Sequence, residues 1–394
     1  MAAGRRRFQA EGTLNLLLAR FILPALLLHI AFSGCRVNLS LTALNLQASA
    51  FTVGVIASMM ALLPMLFSVA AGRIIDRIGP RRPMLLGAGL VLTGLLLGFA
   101  VPRLEMLFVV SAFSGAGFML LHIAVSHATG MLGTPDDRMR NFSILALGFS
   151  TANVVGPTLA GFAIDLIGHR HTFLVFACSA AASLLLTLLI GVQVRPEPRT
   201  ATDAGPRRVT DFFRDAAMRR VLIVSTVMSM AWDTFTFLVP IYGTGIGLSA
   251  SQIGMILGTF GAAIFAVRIA LPLLARRVGQ WHMLTAAMIA TGSLFVVFPL
   301  FASLPVLLVT AFLIGIGLGG TQPTMMSLLM AHAPAGRGGE AVGLRTLLLN
   351  CSQAGVPLVF GALGAAFGVV PVFWLMALSL GGGAWRLASG RRAA

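Results

Sequence analysis

Apolar runs of about 20 residues recur from one end of the 394-residue chain to the other, each long enough to cross about 30 Å of hydrocarbon as a helix. No other feature constrains the fold as much, because a backbone in lipid must satisfy its own polar groups and only helices and closed barrels do so. Twelve runs are counted, at 16–41, 52–74, 84–101, 106–129, 142–166, 172–194, 220–242, 251–274, 283–301, 305–330, 342–365 and 369–388. Only 10% of residues are charged, where a soluble domain has about a quarter. An all-α membrane protein is therefore expected. The run after the basic stretch MAAGRRRFQAEGTLN is too long for a signal-peptide core and reads as a retained first helix.

The formal net charge is +16, and every basic residue outside histidine is an arginine. In a soluble chain this would point to nucleic acid, but here the arginines gather in alternate loops, and only Arg103 and Arg170 fall on the other side. The charge thus reports topology: a multi-pass membrane protein with both termini cytoplasmic, and no nucleic-acid partner. Without lysine, a P-loop, a Schiff base and a Ser-x-x-Lys dyad are all excluded. Cys35, Cys178 and Cys351 lie in separate runs without ligand spacing, so no metal or disulfide is expected. GIGLGG at 315–320 fits a dinucleotide fingerprint only in letters, because no strand precedes it. The HRH at 169–171 lacks a third metal ligand.

A polar stretch near 194–220 divides the runs six and six. The expected units are an N-terminal bundle, 1–194, a cytoplasmic linker, 195–219, with a short amphipathic helix near Phe212, and a C-terminal bundle, 220–394. A shift of 200 residues superposes Gly54 on Gly254, Arg77 on Arg277, Gly79 on Gly279, Gly115 on Gly315, Gly117 on Gly317, Pro157 on Pro357, Gly161 on Gly361 and Gly168 on Gly368 without a gap. Glycine and proline control close helix approach and bends, so this agreement predicts two halves with one backbone plan and a site at the midplane between them.

Between the second and third runs stands GRIIDRIGPRRP, in which Gly72, Asp76, Arg77, Gly79, Arg81 and Arg82 match the loop signature of the major facilitator superfamily. In the fifth run, GFSTANVVGPTLAG is similar, through Gly148, Gly156, Pro157 and Gly161, to a signature of that superfamily's drug/proton antiporters. Ala160 departs from it where a second glycine is usual, and Ser111 stands where many of those antiporters carry an arginine. The resemblance, to bacterial members, implies a bacterial cytoplasmic (inner) membrane, twelve helices in two pseudo-symmetric six-helix bundles, secondary active transport by alternating access, and a cavity ringed by helices one and four of each half. It assigns the loop motif to gating. In physical terms, Gly72 would let two helices approach, and Asp76 among arginines would form and break ion pairs as the halves rock.

Residues spaced by three or four share a helix face. Helix one has His29, Ser33, Arg36 and Ser40 on one stripe; helix four has Ser111, Gly115, His122, Ser126 and Thr129; helix seven has Ser225, Ser229, Asp233, Thr236 and Pro240; helix ten has Gly315, Gly319, Gln322 and Met326. Arg36 lies roughly 24 Å past Arg20 along the helix, too deep to snorkel easily. It is expected to pair with Asp233, to bind an anionic group, or to gate the outer side. Asp233 is the one carboxylate near the centre of a run and the candidate proton carrier, a static ion pair and contact with a cationic cargo being the other readings. His122 either titrates or packs, His29 reads as structural, His127 as interfacial, and Arg268 either snorkels or lines the cavity. Arg345 and Asp165, close to helix ends, read as local ion pairs or helix-dipole partners.

The function expected is proton-coupled efflux of a small amphipathic or anionic compound. Arg36 would hold or gate the cargo, Asp233 would carry the proton, and His122 and Gln322 would line the site. Uptake of an organic anion by the same fold is the first alternative. A membrane-embedded enzyme or non-transporting receptor is the second, against which stands the absence of H-E-x-x-H and of paired intramembrane aspartates. The partners expected are a small-molecule substrate and the lipid bilayer, with no cofactor beyond a proton gradient and a monomeric state.

Overall fold

The computed structural model describes residues 2–132, 137–189, 211–274, 279–333 and 338–389, and within them there is helix and connecting turn but no strand. The first half contains α1 (Ala2–Asn45), α2 (Ala50–Ile78), α3 (Arg81–Ala100) and α4 (Leu104–Met131). One helical rod, Asp137–Leu189, then turns at Gly168, whose φ of 81° and ψ of 163° separate α5 (137–167) from α6 (169–189). The second half contains α7 (Ala216–Gly245), α8 (Ala250–Leu274) and α9 (Gln280–Val297). It continues with α10, which is Leu304–Gly319 followed after Gly320 by Thr321–His332, then α11 (Gly338–Phe367) and α12 (Val369–Ser389). With the Gly168 turn counted, these are the twelve crossings expected. Several outrun the apolar runs: α2 carries its helix to Ile78, through most of the motif loop. Of the linker, 195–210 lies outside the described residues, as does Arg277. A single helical turn, Asp211–Arg214, with Phe212 buried, stands where the amphipathic helix was expected.

Glycines at the chain's sharp corners explain part of the duplicated pattern. Gly168 and Gly368 have φ of 81° and 85°, a left-handed conformation that a side chain disfavours, and each separates two helices at the same place in its half. Gly79, at φ 78°, ends α2 with its N–H on Ile75 O.

The remaining paired glycines mark close helix crossings, and the crossings repeat with the sequence. A Cβ on Gly315 would stand 2.5 Å from Phe260 O, and the equivalent atom on Gly115 would overlap Met60 O, 200 residues earlier on both sides. Between the halves, a Cβ on Gly254 would lie 2.6 Å from Pro157 O and 3.0 Å from Gly161 Cα, which joins α8 to α5. The mirror crossing joins α2 to α11, where Gly54 lies against Pro357 O and Gly361 Cα. In lipid, where apolar burial gives helices little reason to associate, such contact of backbone with backbone supplies dispersion that larger side chains would prevent.

Gly72 is a correction. A Cβ there would meet nothing within 4 Å, so this glycine seats no helix crossing in the observed conformation.

The α5–α8 crossing gives a direct test. Gly254→Val should lower the stability of the detergent-purified protein by about 1–3 kcal/mol, the range for overpacking a tight interface. Gly89→Val, at a position with nothing within 4 Å, should leave the thermal unfolding midpoint nearly unchanged.

Candidate functional site

Where α1 and α5 of the first half meet α7 and α8 of the second, a narrow cavity of about 60 Å³ lies between the halves. Arg36 lines it together with Ser33, Phe32 and Val37 from α1, Asn153 and Pro157 from α5, Trp232 and Thr236 from α7, and Leu257 and Phe260 from α8. Its walls are chiefly apolar and aromatic, with Trp232 edge-on to Phe260 at 5.1 Å between ring centres. A few polar groups converge in an apolar pocket, the usual make-up of a small-molecule site.

Most of those polar groups are already engaged by backbone. Ser33 Oγ donates to Ala152 O at 2.9 Å, Asn153 Nδ2 to Phe149 O at 3.0 Å, and Thr236 Oγ1 to Trp232 O at 3.1 Å. The Ser33 bond ties α1 to α5 beside Gly156, where a Cβ would lie 2.9 Å from Gly34 N and from Ile30 O. The Arg36 guanidinium adds the pocket's cationic donors.

Asp233, 2% exposed, lies on α7 three residues before Thr236. Its Oδ2 accepts a hydrogen bond from Ser352 Oγ of α11 at 3.1 Å, and its charge acts on Arg36 across the interface between the halves. The structure thus brings the two expected residues into one electrostatic neighbourhood, but the carboxylate's hydrogen-bond partner is Ser352, which the sequence stripes did not include. Ser352 is on helix eleven, a helix not expected to ring the cavity.

The two histidines gather with aromatic rings next to this pocket. His29 lies 4.8 Å from Phe118 and 4.8 Å from Phe149 between ring centres, and the exposed His122 stacks on Phe149 at 5.0 Å. Phe32, which lines the Arg36 pocket, stacks on Phe118 at 4.1 Å with the rings 10° apart. Arg268 of α8 reaches across to α5, where its guanidinium donates to Ser150 Oγ at 2.6 Å and to Ala146 O at 3.2 Å. Arg345 stays within the second half, with Nε on Ser225 Oγ at 2.7 Å.

Other expectations separate from the site. Gln322 is exposed on α10, Ser126 on α4 and Ser229 on α7 are partly buried, and none of the three lines the Arg36 cavity. Ser111 is buried and donates to Ile56 O, so the position where many antiporters carry arginine here ties α4 to α2. Asp76 of the loop motif meets His127 Nε2 at 3.3 Å, which makes His127 the motif's partner on α4. Arg81 reaches Leu188 O at 2.7 Å, binding the motif to the end of α6. Gly148 makes only ordinary contact with Ile22, and a Cβ on Gly161 would lie 2.9 Å from Ser251 Cα. The histidines of HRH do not form a metal-binding group among the described residues.

Asp165 is a helix-dipole partner, but of a helix in the other half and not of its own neighbourhood. Its carboxylate crosses from α5 to the other half, where it accepts from Ala250 N at 3.2 Å and Ser251 N at 2.9 Å, the free N–H groups at the start of α8. At the mirror crossing, α2 is capped from its own chain neighbourhood by Ser49 Oγ.

Comparison with known proteins agrees with this architecture. The sequence model of the Major Facilitator Superfamily matches residues 13–354. The chain belongs to that superfamily. It is 23% identical over 342 residues to the multi-drug resistance efflux pump PmrA of Streptococcus pneumoniae, covering 84% of each chain. It is 25% identical over 367 residues to the multidrug efflux pump Tap of Mycobacterium tuberculosis, covering 86% of this chain and 84% of that one. The crystal structure of a POT family transporter in complex with 5-aminolevulinic acid shares the fold at a TM-score of 0.78 and 16% identity, covering 94% of this chain and 95% of the other. This is a multi-pass membrane transporter of the major facilitator fold.

The Asp165 bridge predicts a shift in conformational balance. Asp165→Ala removes a cap of about 1 kcal/mol from one state only, which should raise the population of states parted at that end about fivefold. Spin labels at the exposed positions Leu46 and Ser303, one in each half, should report this as a gain of longer distances in double electron–electron resonance.

Proposed function

We propose that the protein exports a small amphipathic or anionic compound across a bacterial inner membrane by alternating access, exchanging it for protons. The observation that carries this reading is Arg36, a guanidinium that lines an aromatic-walled cavity between the halves while the nearest intramembrane carboxylate, Asp233, is hydrogen-bonded to Ser352. A charge at such depth is costly unless it is paired or wetted, and a cargo anion meets that requirement during each cycle. Arg268, held on α5 by Ser150 Oγ and Ala146 O, adds a second positive charge between the halves.

Asp233 carries the proton in this scheme. It sits at the interface between the halves, bonded to Ser352, and in an exchange cycle it is ionised while cargo occupies the cavity and takes up a proton from the outer side once the cargo has left, so that the return of the empty carrier brings the proton inward. Export rather than uptake is supported by relatives whose names are those of efflux pumps. Both chain termini lie on the cytoplasmic side if the arginine-rich loops obey the positive-inside rule.

Inverted membrane vesicles with an acidified lumen test the scheme against a panel of small organic anions and amphipathic drugs. A cargo of the wild type should accumulate in the lumen, and accumulation in right-side-out vesicles instead would identify an importer. Asp233→Asn should abolish gradient-driven accumulation while leaving cargo exchange across the membrane. Arg36→Ala should weaken cargo affinity about tenfold or more, the worth of a charged hydrogen bond, and depress both. Full gradient-driven transport by Asp233→Asn removes it as the proton carrier.

A further inference from the structure

Arg103 and Arg170, the two arginines on the side opposite the arginine-rich loops, come to one cavity. It measures about 280 Å³, against about 60 Å³ for the Arg36 cavity, and belongs wholly to the first half. The ends of α1 and α3, the start of α4 and the Gly168 turn between α5 and α6 enclose it. Arg170 lines it directly, and Arg103 follows Pro102, which lines it too.

The lining is apolar from depth to mouth. Leu107 and Phe173 are each 1% exposed, while Leu46 and Ile167 are 40% and 46% exposed. Polar side chains in the wall are engaged by neighbours. Thr42 Oγ1 donates to Asn38 Oδ1 at 3.3 Å and meets His169 Nδ1 at 3.4 Å, and His171 Nδ1 meets Ile167 O at 3.1 Å. Such an interior suits an apolar occupant, and the charge beside it selects what that occupant carries.

We propose that this cavity takes an acyl chain of an anionic phospholipid whose phosphate lies on Arg170. The site is separate from the Arg36 cavity and independent of the cargo reading. Arg170 is exposed, with its guanidinium 4.8 Å over the Phe99 ring and Nε donating to Phe99 O at 2.8 Å. That holds the planar group on the end of α3 and commits one N–H donor, while the Nη groups suit a phosphate. Leu96, one turn before Phe99 on the same helix, and Leu166, next to Ile167, are exposed apolar side chains of the kind a bilayer covers. The mouth therefore stands at the edge of the hydrocarbon, where a lipid offers chain and phosphate together. A free anion would leave the apolar depth unfilled. Of the acidic groups at this end, Asp165 is bonded to the start of α8 and Glu105 does not line the cavity.

The test places the full chain in phosphatidylcholine nanodiscs with a trace of phosphatidylglycerol or phosphatidylcholine bearing a diazirine near the end of one acyl chain. After photolysis, labelled residues are mapped by peptide mass spectrometry. Leu107 and Phe173 are buried, so their labelling reports a chain inside the cavity, and the exposed Leu96 reports general lipid contact. Relative to Leu96, phosphatidylglycerol should label the buried pair about fivefold more than phosphatidylcholine, the scale of one arginine facing an anionic headgroup. Arg170→Gln should bring phosphatidylglycerol down to the level of phosphatidylcholine. Arg170→Lys keeps the charge but loses the Nε bond to Phe99, and should retain most of the preference; Arg20→Gln, at the other end of α1, should change nothing. Thermal midpoints check that each variant folds, and the wild-type ratio decides even if one does not. An unlabelled buried pair, equal labelling by the two lipids, or a preference that survives Arg170→Gln overturns the site. Loss of the preference on adding inorganic phosphate at constant ionic strength assigns Arg170 to a free anion and overturns the lipid.

Discussion

The molecule depends on two places where backbone touches backbone across the halves. At α5–α8 and at α2–α11, glycines next to a proline carbonyl bring helix axes close enough that no side chain separates them. Everything between the halves takes its position from these crossings: Arg36 and Trp232 share a cavity, Arg268 reaches Ser150, and Asp165 reaches the start of α8. Such contacts are strong in dispersion and poor in directional bonds, which suits surfaces that must slide or rock without breaking a hydrogen-bonded lattice.

Among the described residues, several charges within this frame are met by neutral oxygens. Arg268 and Arg345 rest on serine hydroxyls, and Asp233 on Ser352. A hydroxyl or carbonyl stabilises a buried charge without cancelling it, so the field of Arg268 persists between the halves. That persistence separates a site able to attract and release an anion from one that is merely satisfied.

Much of this was readable from residue order, for a physical reason: glycine and proline act through the backbone, and a duplicated backbone leaves its record at a fixed shift. Gly54 with Gly254 and Gly168 with Gly368 were aligned as letters and are matched as contacts or corners. Arg36 and Asp233 were marked by depth alone. The rest escaped because helix stripes show which residues share a face and not which helix the face meets. Helices one, four, seven and ten were expected to ring the site, yet α5, α8 and α11 supply Asn153, Phe260 and Ser352, while Gln322, Ser126 and Ser229 lie outside the Arg36 cavity. Hydroxyl and amide residues on α5 and α11 carry little signal in a chain where serine and threonine so often bond their own helix. Gly72 misled in the opposite direction, a helix-approach residue with no helix against it in this conformation.

The bridge from Asp165 to Ala250 and Ser251 makes the two otherwise equivalent crossings unequal. Residue 365, its counterpart at the 200-residue shift, is an alanine, so the α2–α11 crossing has no carboxylate to release. A molecule duplicated in outline is therefore latched on one side: parting α5 from α8 obliges two backbone amides to exchange Asp165 for water, a cost the α2–α11 crossing does not share.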